Sequence, residues 1–572
     1  MHQAGWGRAE IEVAPDGYAM FGYGMWDHRA RGRQTPLYAR ALCIADGARR
    51  LIVCCCDLGS ISHALRAGVV ERLRAELGAD FDEAALVLTC THTHSGPGGC
   101  SHEALYNVVT PGFVTPHWRA VVDAVSAAVL TAWRSAAPTE LTLHRAAFAD
   151  QVAVAWNRSL PAYNRNPDVV PRGEHERDLA MNRTMQVLAL RRGGTVQALL
   201  SLFGVHATCL GNKLDKYDGD NKGYAAAHAE QALRDAGAAD PVAIFAQATA
   251  GDISPHYHGP GDWERRKRLR GAAEYAYAER NGRAQSERAL SMLSESSGTP
   301  LGGGLDAILT YVDFTAVTAE PRFANGNTDA QTSEPCHGVA FFAGTPVDGR
   351  GMPPFLATLS KLIAGVLKRR RMARLAQMPQ ADQEYYRRVY AAQGPKAILL
   401  EAGRKEILGR PLARLALPDF ADPSTAELKR QARRGAIKDS PLVPTVLPLQ
   451  ILRIGELALL CCPGEFTTTA GARLMQSVGE ELQPHGIREV LICTYANDYM
   501  GYVTTNEEYQ EQCYEGGHTI FGQWTLAAFQ TRLTALAREL LKPDAERQHD
   551  RTTRPAPVPP DELAKRSDLP VP

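Results

Sequence analysis

Two histidines, His92 and His94, stand two residues apart in Thr91-His92-Thr93-His94-Ser95-Gly96-Pro97-Gly98-Gly99, directly after an apolar run over 85–90. In an extended segment residues i and i+2 point to one side, so both imidazoles can address a single point at the end of a buried strand. Gly and Pro then turn the chain away and leave room for a ligand. Such a pair is a hydrogen-bonded structural couple about as often as a metal site, so the weight falls on its company. Four further polar clusters end apolar runs, where open α/β sheets place their ligands. His206 follows the run 198–205, and Gly251-Asp252-Ile253-Ser254-Pro255 follows 242–246. Glu465, in Pro463-Gly464-Glu465-Phe466, follows 457–462, and Tyr495-Ala496-Asn497-Asp498-Tyr499-Met500-Gly501-Tyr502 follows 489–493. Histidine, carboxylate and hydroxyl groups therefore converge on one rim. Histidines plus a carboxylate leave an open position on a zinc ion, whose water ionises near pH ~7 and can attack an amide carbonyl.

The elements that must carry these groups read as a layered α/β core. Strands are expected over 37–45, 50–56, 84–90, 141–148, 185–191, 196–203, 242–247, 307–317, 445–453, 458–462 and 489–493, with helices over 61–77, 117–135 and 525–541. Two stretches, about 261–296 and 355–440, are charged or rich in Arg, Gln and Ala and read as helical insertions with solvated faces. From Lys542 onward Pro, Asp, Arg and Lys dominate, so 542–572 is expected to be a disordered tail.

Lys plus Arg equals Asp plus Glu at 63 each, so no net field selects nucleic acid or an anionic membrane, and a small or neutral partner is expected. The start carries no basic and apolar leader, and no apolar run is long enough to span a bilayer. A soluble, cytoplasmic protein is expected, or an exported one if a signal was removed. The 12 Cys include Cys54-Cys55-Cys56 and Cys461-Cys462 inside strand-like runs, with no Cys-x-x-Cys, which favours small buried side chains over thiolate zinc or disulfides.

Together the motifs resemble the neutral/alkaline non-lysosomal ceramidase family. The matching pieces run from Gly5-Trp6-Gly7-Arg8-Ala9-Glu10-Ile11 through Asn157-Arg158-Ser159, Ala162-Tyr163 and Asn166-Pro167 to the clusters above, then Tyr502-Val503-Thr504-Thr505-Asn506-Glu507-Glu508-Tyr509 and Gln512-Cys513-Tyr514-Glu515-Gly516-Gly517. The resemblance implies an α/β catalytic domain over 1–541 with mixed sheets flanked by helices, without the family's C-terminal immunoglobulin-like domain. It implies an amidohydrolase with one Zn2+ per chain, releasing fatty acid from the N-acyl amide of a sphingoid base, with peripheral membrane contact. By motif, His92, His206, Glu465 and Tyr502 are similar to its zinc ligands, with Tyr499 as the neighbouring alternative to Tyr502. His94, Arg158 and Tyr514 resemble pocket residues around the scissile amide, and Ser254 matches a serine once proposed as nucleophile. Chemically, Arg158 and Tyr514 suit a developing oxyanion and His94 a proton transfer to the leaving amine, while Ser254 needs a base within reach to act as more than a positioning group.

Each residue also has a plainer reading: His206 as a satisfied core histidine, Glu465 as a helix N-terminal carboxylate, Tyr502 and Tyr514 as core tyrosines, Arg158 as a loop ion pair. Their joint order favours the metal site. His256 and His258 admit a second metal or simply an exposed loop. Two alternatives stand beside the N-acyl lipid hydrolase: a metal hydrolase of another small amide or ester, and a non-catalytic lipid- or metal-binding relative.

Overall fold

A computed structural model describes residues 2–47, 49–255, 269–345, 347–420 and 422–571. Two mixed sheets pack face to face between two helical layers. The larger has nine strands, in the spatial order Val242–Ala246, Thr195–Leu202, Thr184–Arg192, Ala137–Ala147, His2–Glu10, Tyr38–Ala45, Arg50–Cys56 and Leu86–Cys90, with Thr299–Pro300 paired outside this path. The smaller has four, in the order Leu305–Asp313, Val446–Ile454, Leu457–Cys461 and Glu489–Cys493. The expected layered α/β class holds.

The layering follows from strands that are apolar on both faces. Leu42, Ile44, Val53 and Cys55 of the large sheet meet Leu452, Ile454, Leu459 and Leu491 of the small one in a central core. The opposite faces are covered by helices: His63–Leu77 and Thr115–Arg134 over one half of the large sheet, Asp220–Asp235 and Ala272–Glu295 over the other, and Thr468–Leu482 with Thr525–Leu540 over the small sheet. Adjacent cysteines divide between these layers as their alternation requires. Cys54 and Cys56 face the helices while Cys55 enters the central core, and all twelve cysteines are free.

Three expectations need correction. His2–Glu10, absent from the expected strands, lies in the large sheet beside Tyr38–Ala45. Its glycines obscured the pattern, yet they are needed: a Cβ on Gly5 or Gly7 would come within 2.1 or 2.3 Å of the Ala132 or Ala128 carbonyl of the covering helix. The insertion read as helical over 355–440 does hold Pro354–Ala373, Gln380–Gln393 and Pro423–Arg433, but also the strand Ile398–Glu401 of a small separate sheet. The tail is not disordered. Arg566 is fully buried and donates to the His102 and Ala436 carbonyls, its own carbonyl accepts from the Phe113 amide at 2.8 Å, and Glu562 accepts from the Ser440 amide at 2.9 Å. Composition misled because polar capture of backbone groups, rather than apolar burial, holds this segment. The remainder of the insertion over 261–268, with His256 and His258, lies outside the described residues.

Candidate metal centre

Strand ends deliver the donors. Leu86–Cys90 leads to His92, Thr195–Leu202 to His206, Leu457–Cys461 to Glu465 and Glu489–Cys493 to the tyrosine segment, each from the strand's carboxyl end. Backbone pairing ties these loops together, since Thr93 bridges Ala207 and Glu465–Phe466 runs parallel to Tyr502–Val503. The result is a buried triad of His92, His206 and Glu465 whose ligand atoms lie within 4.8 Å of one another. His92 Nε2 is 3.6 Å from one Glu465 oxygen and His206 Nε2 is 3.0 Å from the other.

Each imidazole is oriented from behind. His92 Nδ1 donates to the Gly59 carbonyl, and His206 Nδ1 donates to the Ile253 carbonyl at 3.0 Å. Those bonds place the proton on Nδ1 and leave both Nε2 lone pairs aimed at one point, the support a metal-binding histidine requires. Burial holds His92 neutral, pushed down to about 4 despite the nearby Glu465 carboxylate. Burial alone would raise the Glu465 carboxyl, but the imidazoles of His92 and His206 beside it and the hydrogen bond donated by Tyr499 keep it well below the usual carboxylate range. Lone pairs on nitrogen and a fixed carboxylate are the donor chemistry of a zinc-type site, so the residues present fit a metal ion.

The tyrosines divide. Tyr499 donates to one Glu465 oxygen at 2.5 Å and Tyr495 to the other at 3.0 Å, so both brace the carboxylate. Tyr502 instead places its hydroxyl 3.2 Å from His206 Nε2, where it also accepts from Arg158 Nη2 at 3.0 Å. Arg158 is fixed on three further sides, by Glu515 at 2.8 Å, Asp348 at 2.8 Å and the Gly251 carbonyl at 2.9 Å. Tyr514 stands edge-on to Tyr502 with centroids 5.4 Å apart, and the Arg158 guanidinium lies 5.5 Å from its ring.

His94 joins the site by a different route from the one its spacing suggests. The backbone at His92 is left-handed (φ 62°), so this stretch is not extended; the chain reverses there and brings the two Nε2 atoms to 3.2 Å. Tyr23 packs edge-on against His94 at 4.6 Å, and a Cβ on Gly22 (φ +121°) would strike the imidazole at 2.3 Å. Ser254 is buried and donates to Asp348 at 3.0 Å, the same carboxylate that Arg158 grips. Asp252, two residues before it, is buried and accepts from Asn157 Nδ2 at 2.7 Å and the Thr468 amide at 2.8 Å. Of the residues expected from the sequence, His92, His206 and Glu465 form the group itself, His94 and Tyr502 touch its histidines, Arg158 and Tyr514 lie against Tyr502, and Ser254 is linked only through Asp348. Asp348 and Tyr23 were not anticipated, and Tyr495 was expected only as part of its polar cluster, not as a brace of Glu465. Asp348 lies in a turn at 347–348, more than 90 residues from the side chains its carboxylate bonds, and nothing in the sequence distinguishes it from an ordinary turn aspartate.

Comparison with known proteins agrees with this geometry. The family profile described as neutral/alkaline non-lysosomal ceramidase, N-terminal, matches residues 2–412 and 432–531. Neutral ceramidase of Pseudomonas aeruginosa is 33% identical over 557 residues, covering 94% of this chain and 72% of the relative. Neutral ceramidase of Mycobacterium tuberculosis is 32% identical over 554 residues, covering 94% and 77%. A solved structure titled ceramidase complexed with C2 superposes with a TM-score of 0.78 at 31% identity, covering 97% of this chain and 77% of its own. Sequence, fold and the placement of the donors lead to one conclusion, that this chain belongs to the neutral/alkaline non-lysosomal ceramidase family.

Proposed function

We propose that this protein hydrolyses the N-acyl amide bond of ceramide or a closely related N-acyl lipid, with one zinc ion held by His92, His206, Glu465 and Tyr502. The convergence of two Nε2 lone pairs, each set by an Nδ1–carbonyl bond, on a buried ionised carboxylate carries the reading. When bound, zinc supplies Lewis acidity and lowers the pKa of a water in its open position. The chain's own groups do the rest. Arg158, locked by Glu515 and Asp348, presents a fixed guanidinium N–H beside Tyr502, where negative charge on the amide oxygen would develop. Tyr514, at the edge of the same ring, adds a donor on that side. His94, kept neutral by burial and by its neighbour His92, has a ring nitrogen free to carry a proton to the departing amine. Ser254, held by a carboxylate already neutralised by Arg158, is better placed to orient substrate than to attack it.

The test is metal content and fatty-acid release from a panel of N-acyl sphingosines and simpler N-acyl amines, comparing the protein with His92→Ala. Stoichiometric zinc with turnover abolished in the variant is expected, and the preferred amide sets the substrate. Zinc without turnover of any amide would shift the reading to another acyl bond. A folded protein that takes up no zinc would refute it.

A further inference from the structure

The helix Pro354–Ala373 is amphipathic in the wrong sense for a globular protein. Its inward line is Ala357, Ala364 and Arg371, spaced by seven residues, and the arginine is buried because it pairs with Glu401 at 2.6 Å and Glu406 at 3.3 Å. The large apolar side chains point the other way. Phe355 is 71% exposed, Leu362 63% and Leu359 52%, with Ile363 and Val366 beside them on the same face over three turns. An unpartnered stripe of this kind marks an interaction surface rather than an incidental exposed residue.

Its chemistry selects the partner. The helix contains no acidic residue, and Lys361, Arg369 and Arg370 stand exposed around the apolar stripe. Apolar side chains framed by cations match an anionic bilayer surface, with acyl chains beneath and phosphates above. A second copy of the same face would oppose cation to cation. No helix among the described residues is long and apolar enough to cross a membrane, so the arrangement fits lying in the interface. The helix also borders the metal centre: Pro354 stands six residues past Asp348, and the short helix Val339–Ala343 joins the two, its Phe342 carbonyl accepting from the Met352 amide at 2.6 Å and its Phe341 ring 5.5 Å from Tyr514.

We propose that Pro354–Ala373 is an interfacial membrane-docking helix that seats the protein on anionic bilayers, a property beyond the hydrolytic reading. The full chain is mixed with vesicles of phosphatidylcholine alone or with added phosphatidylglycerol and separated by flotation. Flotation with the anionic vesicles is expected. The fraction bound should fall at least about tenfold in Leu359→Gln/Leu362→Gln/Ile363→Gln and in Lys361→Gln/Arg369→Gln/Arg370→Gln, while both variants keep the parent's unfolding temperature and turnover of a detergent-dispersed short-chain amide. Failure of the parent to float on either vesicle, flotation unchanged in the apolar variant, or a sedimentation dimer that the apolar variant abolishes would each overturn the proposal. Flotation needs no hydrolysis, so a chain that floats but cleaves no amide refutes the proposed reaction and leaves the docking helix standing.

Discussion

Replacing Arg158 by lysine tests whether the site works through fixed geometry or through charge alone. The guanidinium makes four polar contacts between 2.8 and 3.0 Å, to Glu515, Asp348, Tyr502 and the Gly251 carbonyl, and is itself buried. A lysine keeps the charge, but three donors on one nitrogen cannot span carboxylates on opposite sides of a planar fork. At least one charged hydrogen bond and the contact to Tyr502 are lost, leaving Glu515 with Ser159 as its remaining donor among these groups. Hydrogen bonds to charged groups contribute about 1.5–3 kcal/mol each, and a broken buried pair costs about 3–5 kcal/mol, so a stability loss of about 2–5 kcal/mol is expected. Loss of one preorganised donor at a developing oxyanion typically costs about 10²–10³ in rate, and kcat/KM should fall by that factor with zinc content preserved. Denaturant unfolding and steady-state kinetics on a short-chain amide measure the two effects. A lysine variant within about 1 kcal/mol of the parent and within threefold in kcat/KM would refute both the structural and the electrostatic role.

Other expectations are more local. Gly22→Ala should cut kcat/KM by more than about tenfold with the fold intact by circular dichroism, because its methyl enters the His94 ring from a left-handed backbone. Lys222 is fully buried, its ammonium donating to the Phe203 carbonyl at 2.7 Å, and burial pushes it down to about 7. The unfolded chain then binds the extra proton between about pH 7 and 10.5, so this residue makes stability rise with pH across that window. Lys222→Met should flatten the slope by up to about 1.4 kcal/mol per pH unit in denaturation at pH 7, 8 and 9. Arg566→Met should destabilise by about 1–3 kcal/mol and expose the 100–113 loop to protease, since two carbonyls lose their donor.

Legibility in the sequence tracked burial. Arg50–Cys56 and Glu489–Cys493 were read to the residue because a strand buried on both faces is a continuous apolar run. His2–Glu10 hid behind two glycines whose purpose, a helix packed against them, is a tertiary fact. Ile398–Glu401 is only four residues inside helical surroundings, and the tail is held by hydrogen bonds that composition does not encode. At the site, the metal donors were visible because each stands at a strand's end. Arg158 and Tyr514 entered through family motifs rather than through any local pattern. Asp348 and Tyr23 were invisible because their partners are chosen by loop packing, and the His92–His94 approach depends on a backbone reversal that spacing alone reads as extended.

The strap formed by Glu562 to Asp568 has a consequence for the order in which the protein is built. Arg566 contacts His102 across a separation of 464 residues, and Ser567 pairs with Phe113, in the loop that continues from the His92 and His94 turn. In that loop the His102 carbonyl and the Phe113 amide wait for these tail residues, while the strands on either side already have their neighbours. Because residues 562–568 are made after every strand of both sheets, these contacts form late on the folding path of the nascent chain. The loop over 100–113 therefore receives these partners last, and a nascent chain stalled before residue 562 would carry both sheets with the contacts of His102 and Phe113 to the tail unmade.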